Sequence, residues 1–157
     1  AIDPDVTYYW FKAGRVHYTQ GGYSGRLLNG RFSSFYLTKN LKEEGDFTKG
    51  IKSGLWRNWR ENGVLERTAY YRNGLENGRF FTYGDSGVVK QTGRMKGGKL
   101  HGNVKTYVSQ DSVTTTYYRN GAVAVKKKWL PKIDFLKFPK ISLRRRARDI
   151  EDTNNNR

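Results

Sequence analysis

Cysteine is absent from the 157 residues and histidine occurs only twice. Without thiols there is no disulfide framework, no Cys-based zinc site, no thiol nucleophile and no iron–sulfur cluster. No stretch approaches the ~18 apolar residues that a membrane-spanning helix needs. No charged segment followed by an apolar one opens the chain as a signal peptide would. Acids are scarce as well, with Asp plus Glu at 14 against Lys plus Arg at 30, a formal charge of +16. What remains is glycine and aromatic side chains. Gly numbers 18, well above the usual ~7%, and Phe, Tyr and Trp make up 15% of the chain against 36% for all apolar residues. Such a composition favours short strands, tight turns and a thin core filled by rings rather than aliphatic chains.

The chain opens at Ala1 on the polar run Ala1-Ile2-Asp3-Pro4-Asp5, and its single methionine is Met95. Two readings fit, a fragment or a mature end left by removal of a leader. The second leads to an expectation of export to a periplasmic or outer-membrane-associated location, with the cytoplasm as the alternative.

A 24-residue period organises the chain. Gly30, Gly54, Gly78 and Gly102 follow one another at that spacing. Two residues after each stand Phe32, Trp56, Phe80 and Val104, and five residues after each stand Phe35, Trp59, Tyr83 and Tyr107. Phe47, Tyr71 and Met95 keep the phase, Tyr118 follows one residue short, and Gly50, Gly74, Gly98 and Gly121 close the units. Projected backward, the phase meets Tyr8, Phe11 and Tyr23, a first unit without its leading glycine. Five units starting near 6, 30, 54, 78 and 102 thus span 6–125. Each reads as strand, turn, strand, turn, with Asn-Gly at 29–30, 62–63, 73–74, 77–78 and 120–121 as hairpin signals. The expected fold is all-β, an elongated meander of five β-hairpin repeats. Positions two and five after the glycine fall on opposite faces of a regular strand, so a bulge or strong twist is expected between them.

The run from Gly54-Leu55-Trp56-Arg57-Asn58-Trp59 through Glu61-Asn62-Gly63 to Tyr70-Tyr71-Arg72-Asn73-Gly74 resembles the MORN repeat. It is most similar to the bacterial variant in proteins labelled YwqK-like antitoxins, and the resemblance covers about three-quarters of the chain. It implies stacked β-hairpins used as a scaffold or binding module, with lipid binding among the proposed roles.

The residues themselves offer no catalytic constellation. His101 precedes Gly102 where other units carry Asn29, Ser53 and Asn77, which reads as a turn residue, and His17 has no ligand partner at metal spacing. Glu43, Glu44, Glu61, Glu66 and Asp85 do not recur at one repeat position and read as solvated partners of the many bases. No nucleophile–base pattern, phosphate loop or dinucleotide fingerprint occurs. No enzyme, cofactor or metal site is therefore expected.

Candidate contact residues fall in two groups. Within the repeats, the +2 and +5 rings are expected to form the core, leaving Tyr36, Tyr70, Phe81 and Tyr117 for a partner. Beyond them, residues 126–157 carry 11 bases and 4 acids. There Trp129, Leu130, Ile133, Phe135, Leu136, Phe138 and Ile141 interleave with lysines around Pro131 and Pro139, followed by Arg144, Arg145, Arg146 and Arg148. The prolines speak against one helix, so an extended docking arm with a loose end is expected, or a cap on the last repeat. The partner expected first is another protein subunit of a bacterial cell-envelope assembly. An anionic surface such as lipid or lipopolysaccharide is the second expectation, nucleic acid fits less well, and an antitoxin role follows only from the family label.

Overall fold

The computed structural model describes residues 2–109 and 111–126. They belong to one compact unit, Ala1–Lys126. Trp129, Leu130, Ile133, Phe135, Leu136, Phe138, Ile141, Arg144, Arg145, Arg146 and Arg148 lie outside the described residues.

The fold is all-β, an antiparallel meander of consecutive hairpins without closure into a barrel. The strands are β1 (Thr7–Lys12), β2 (Arg15–Gln20), β3 (Arg26–Leu27), β4 (Gly30–Phe35), β5 (Leu41–Thr48), β6 (Ile51–Trp59), β7 (Leu65–Arg72), β8 (Leu75–Tyr83), β9 (Val89–Lys96), β10 (Lys99–Leu100), β11 (Gly102–Tyr107), β12 (Val113–Arg119) and β13 (Ala122–Val123). The large sheet runs β13-β12-β11-β9-β8-β7-β6-β5-β4, with β10 paired to β9.

The first unit departs from the expected single meander. Its strands form a separate three-stranded sheet, β2-β1-β3. Lacking a leading glycine, this unit turns back through Gly21–Gly25 and pairs Arg26–Leu27 with Trp10 and Phe11. A side chain at Gly25 would collide with the Phe11 carbonyl and the Trp10 ring. The small sheet is tied to the large one at a hairpin tip. The Tyr9 amide donates to the Gly50 carbonyl at 2.7 Å, and the Tyr9 and Phe47 rings stand 4.8 Å apart.

Two devices repeat along the large sheet. At one end the tip glycines stitch each hairpin to the preceding one. Gly50, Gly74, Gly98 and Gly121 donate their amides to the carbonyls of Leu28, Lys52, Glu76 and Leu100 at 2.8, 3.2, 2.9 and 2.9 Å. Asn73-Gly74 and Asn120-Gly121 are turns with positive φ at both residues, as their sequence predicts. Asn77-Gly78 is not a turn, because it lies inside β8. There Gly78 takes φ 130° opposite a register shift between Ala69 and Tyr71. The glycine bends a continuous strand, which the Asn-Gly pair alone does not distinguish from a reversal.

The second device is the expected bulge. The register shifts between Ser34 and Phe35, between Asn58 and Trp59, and between Thr82 and Tyr83, each time between positions four and five after the leading glycine. In the fourth unit it leaves Tyr83 on the same trough as Thr82 and Gln91. The fifth unit has no such shift. Its strand pairs regularly from Gly102–Tyr118 to Tyr107–Val113, so Tyr107 passes to the opposite face with Lys105.

The two faces are not equivalent. One, the inner face, carries Phe32, Phe47, Trp56, Ala69, Phe80 and Val104, all fully buried but Phe32. Tyr71, Met95, Leu100 and Tyr118 pack against Ala69, Phe80 and Val104. The +2 position is therefore the core of the repeat. The +5 position is not uniformly so, since Trp59 and Tyr83 are half-buried while Phe35 is 61% exposed and Tyr107 is exposed. Phe35 sits on the terminal strand β4, with no further repeat to cover it.

Opposite each +2 side chain is a small or short one. The register pairs are Phe32–Gly45, Trp56–Ala69, Phe80–Gly93 and Val104–Thr116. The rings lean onto the space those positions leave. Beside the core, ion pairs bridge adjacent hairpins with reversed polarity in successive units. The Lys52 ammonium lies 3.0 Å from the Glu43 carboxylate and 3.8 Å from the Trp56 ring centre. In the next unit the Arg67 guanidinium pairs with Glu76 and covers Phe80.

Glu76 also accepts a hydrogen bond from the Tyr71 hydroxyl at 3.1 Å. Burial first, then the Glu76 charge, pushes the Tyr71 phenol well above its ordinary value. The neutral phenol is thus favoured by folding. Stability from this group is complete below the unfolded value of ~10 and is lost as pH rises above it. Tyr71→Phe is expected to flatten the fall in urea midpoint between about pH 10 and 11.5, with a lower midpoint at neutral pH from the lost bond. An unchanged alkaline slope would show that Tyr71 is not the group responsible.

Candidate functional site: an open outer face

Tyr70, Phe81 and Tyr117 lie on the outer face, the one without the core, on β7, β8 and β12. Their cross-strand partners are Leu55, Thr68 and Asn103. Tyr70 is 48% exposed, and Phe81 and Tyr117 are half-buried. Tyr36 does not join them. Its hydroxyl donates to the Trp59 carbonyl at 2.8 Å and the Lys42 ammonium stands over its ring. Arg60 holds the same repeat position one unit later and donates to the carbonyls of Tyr83 and Gly84. Position six after the leading glycine is therefore a stitch between neighbouring units, and Tyr36 serves there.

The outer face divides by charge. Toward β4 its cations are matched: Glu44 takes Arg57 at 3.0 Å and Arg31 at 3.5 Å. Toward β12, Arg79 and Arg94 form a direct cross-strand pair. Lys105 lies on the adjacent strand β11 opposite Thr92. Among the described residues none of these three cations has a salt bridge. They line a groove of about 340 Å³ together with Phe81, Thr92, Gly93, Asn103 and Tyr107. Residue pattern alone had not singled out Arg79, Arg94 or Lys105, and it had assigned Tyr107 to the core rather than to this groove. The signal was available as the missing acid at the period, since Arg31 faces Asp46 at the register position where Arg79 faces Arg94.

The inner face also holds an open trough, of about 570 Å³, beside the core. Its polar row comprises Asn58, Arg67, Thr82, Gln91 and Thr106, paired across successive strands. Gln91 donates to Thr106 at 3.2 Å and Arg67 is held by Glu76. Neither concavity contains a nucleophile beside a base. Among the described residues no group of His, Asp and Glu is arranged to hold a metal ion. His17 stacks on Trp10 at 4.6 Å, and the His101 amide donates to the Arg94 carbonyl at 2.9 Å. No described helix is long and apolar enough to cross a membrane.

Hairpins bent by a recurrent glycine and stitched to their neighbours at both ends build an open repeat sheet. Residues 52–73 match the family model of the MORN repeat variant. The matched span covers nearly all of β6 and β7, the hairpin that carries Trp56. Repeats of this class are generally protein- and lipid-binding modules and not catalysts. The match is to the repeat and does not extend to the YwqK-like antitoxin label. No curated protein and no solved structure matches the chain.

Proposed function

We propose that the protein is a non-enzymatic protein–protein interaction module, an accessory subunit of a larger bacterial cell-envelope assembly. The observation that supports this most is the grouping of Tyr70, Phe81 and Tyr117 on one sheet face with Arg79 and Arg94. Aromatic residues and arginine are the types enriched where proteins contact each other. A sheet face with its core on the other side can be covered without disturbing the fold. Residues 6–125 form the repeat module in this reading, and the basic, apolar arm at 126–157 supplies a second contact on its sequence alone.

Crosslinking in the native host, followed by fractionation, tests the proposal. A stable protein partner is expected in the envelope fraction, with crosslinks from the β7–β12 outer face. Tyr70→Ala is expected to weaken capture about tenfold, as the loss of an exposed ring at an interface does, while leaving the melting temperature within ~2 °C. Recovery of the protein as a free monomer would defeat the reading.

A further inference from the structure

We propose that the outer-face groove between β8, β9 and β11 binds an acidic, extended peptide segment of the partner, through Arg79, Arg94 and Lys105. This rests on the protein-interaction reading and specifies the chemistry of the surface that the partner brings.

The repeat supplies its own comparison. At the register position one after the leading glycine, the second unit pairs Arg31 with Asp46, the third Leu55 with Tyr70, and the fifth Asn103 with Tyr117. Only the fourth sets two like charges directly opposite, Arg79 and Arg94. Such a pair is destabilising across an antiparallel ladder, and a counter-charge from outside relieves it. Within the described residues none does so, whereas Glu44 neutralises the equivalent cations two hairpins away.

A second observation is independent of charge. The bulge that precedes the +5 ring in three units is missing from the fifth, whose strand pairs regularly through Tyr107. Tyr107 stands on the wall of the same groove, with Phe81. Two rings and three cations in a concavity of about 340 Å³ suit a carboxylate on an apolar stem, which is what glutamate offers.

The spacing selects an extended segment. Arg79 and Arg94 are one strand separation apart, ~4.8 Å, and Lys105 is diagonal to Arg94, ~7–8 Å away. Carboxylates at alternate residues of an extended chain project on one side ~7 Å apart. Two of them can reach the arginine pair and the lysine together. Arginine forks additionally favour bidentate carboxylate contact. A flat anionic membrane would meet the exposed cations but not fill the groove between the rings.

The full-length chain is titrated with a fluorescein-labelled decapeptide of alternating glutamate and threonine. Control titrations use the same peptide with glutamine for glutamate, and vesicles one-third phosphatidylglycerol. Saturable binding is expected for the glutamate peptide alone, weakening as salt is raised. Arg79→Ala with Arg94→Ala is expected to reduce it about tenfold or more, a loss of one to two charge-assisted contacts. Arg31→Ala with Arg57→Ala, which removes cations already matched by Glu44, is expected to leave it within twofold. Folding is checked separately, because Arg94→Asp restores the Arg31–Asp46 pattern and is expected to abolish peptide binding without lowering the melting temperature.

Equal binding of the glutamine peptide, or glutamate-peptide binding indifferent to Arg79 and Arg94, overturns the inference. So does vesicle binding that depends on this arginine pair when the peptide does not bind. If a native partner is still captured by the Arg79→Ala, Arg94→Ala variant at full yield, this inference fails while the interaction module stands. If no partner is captured by the unaltered chain, the broader reading fails.

Discussion

Trp56→Ala is expected to cost about 3–5 kcal/mol, the range for removing a large buried ring. Trp56 is 1% exposed and pairs across the ladder with Ala69. Its indole faces Phe47 at 4.9 Å, Phe32 at 6.1 Å and Tyr71 at 6.2 Å. The substitution therefore removes the side chain on which three strands converge. It also removes the donor to the Asp46 carbonyl at 3.2 Å and the ring under the Lys52 ammonium. That ammonium is left with Glu43 in a space no longer screened by the ring, a site where water entry partly compensates. Domains of this size are stable by ~5–15 kcal/mol, so the substitution takes away from about a fifth to all of the stability. Urea unfolding followed by circular dichroism measures the change. A loss under ~1.5 kcal/mol would mean that the aromatic stripe is not the core of the repeat.

That Trp56 stands at the centre could be read from the sequence, because the 24-residue spacing sets equivalent residues side by side whatever their identity. The bulge followed by geometry from two rings three residues apart, and it lies at the same step in three units. Other features were hidden because they depend on what a residue does not have. Gly45, Ala69 and Gly93 recur at the period as faithfully as the rings they oppose, but a small residue in a strand reads as weak propensity until its cross-strand neighbour is known. The Asn-Gly at 77–78 misleads for a related reason. Positive φ serves a bend inside a strand as well as a reversal, and local sequence carries the dihedral but not the partner strand. At the outer face, Tyr70, Phe81 and Tyr117 were legible as rings left over from the core. Tyr36 was not legible as a stitch, because its partner is a backbone carbonyl 23 residues away. The groove of Arg79, Arg94 and Lys105 requires the register itself, since only pairing puts residues 79 and 94 opposite each other.

The small residues lead to the second large effect, at Gly45. A β-carbon built there would overlap Cδ2 and Cε2 of Trp56, well inside any real carbon–carbon contact. The backbone of Gly45 does not have positive φ, so alanine is conformationally acceptable and the cost is steric alone. Trp56 cannot move aside, because Phe32, Phe47 and Tyr71 surround it. Gly45→Ala is therefore expected to cost about 3 kcal/mol, the upper part of the overpacking range, and Gly45→Val more. Gly93→Ala should cost less, about 1 kcal/mol, because the nearest atoms are a Val104 methyl at 2.9 Å and the edge of the Phe80 ring at 3.0 Å. Ala69 shows that the repeat position itself accepts a β-carbon where the opposing ring leaves room. Because the clash at Gly45 is with one ring, it should couple to that ring. In a Trp56→Leu background, Gly45→Ala is expected to lose most of its effect, giving an interaction energy of ~1–2 kcal/mol in a double-mutant cycle. Additive costs would place the strain in the backbone of β5 instead, and would break the link between the glycine period and the aromatic one.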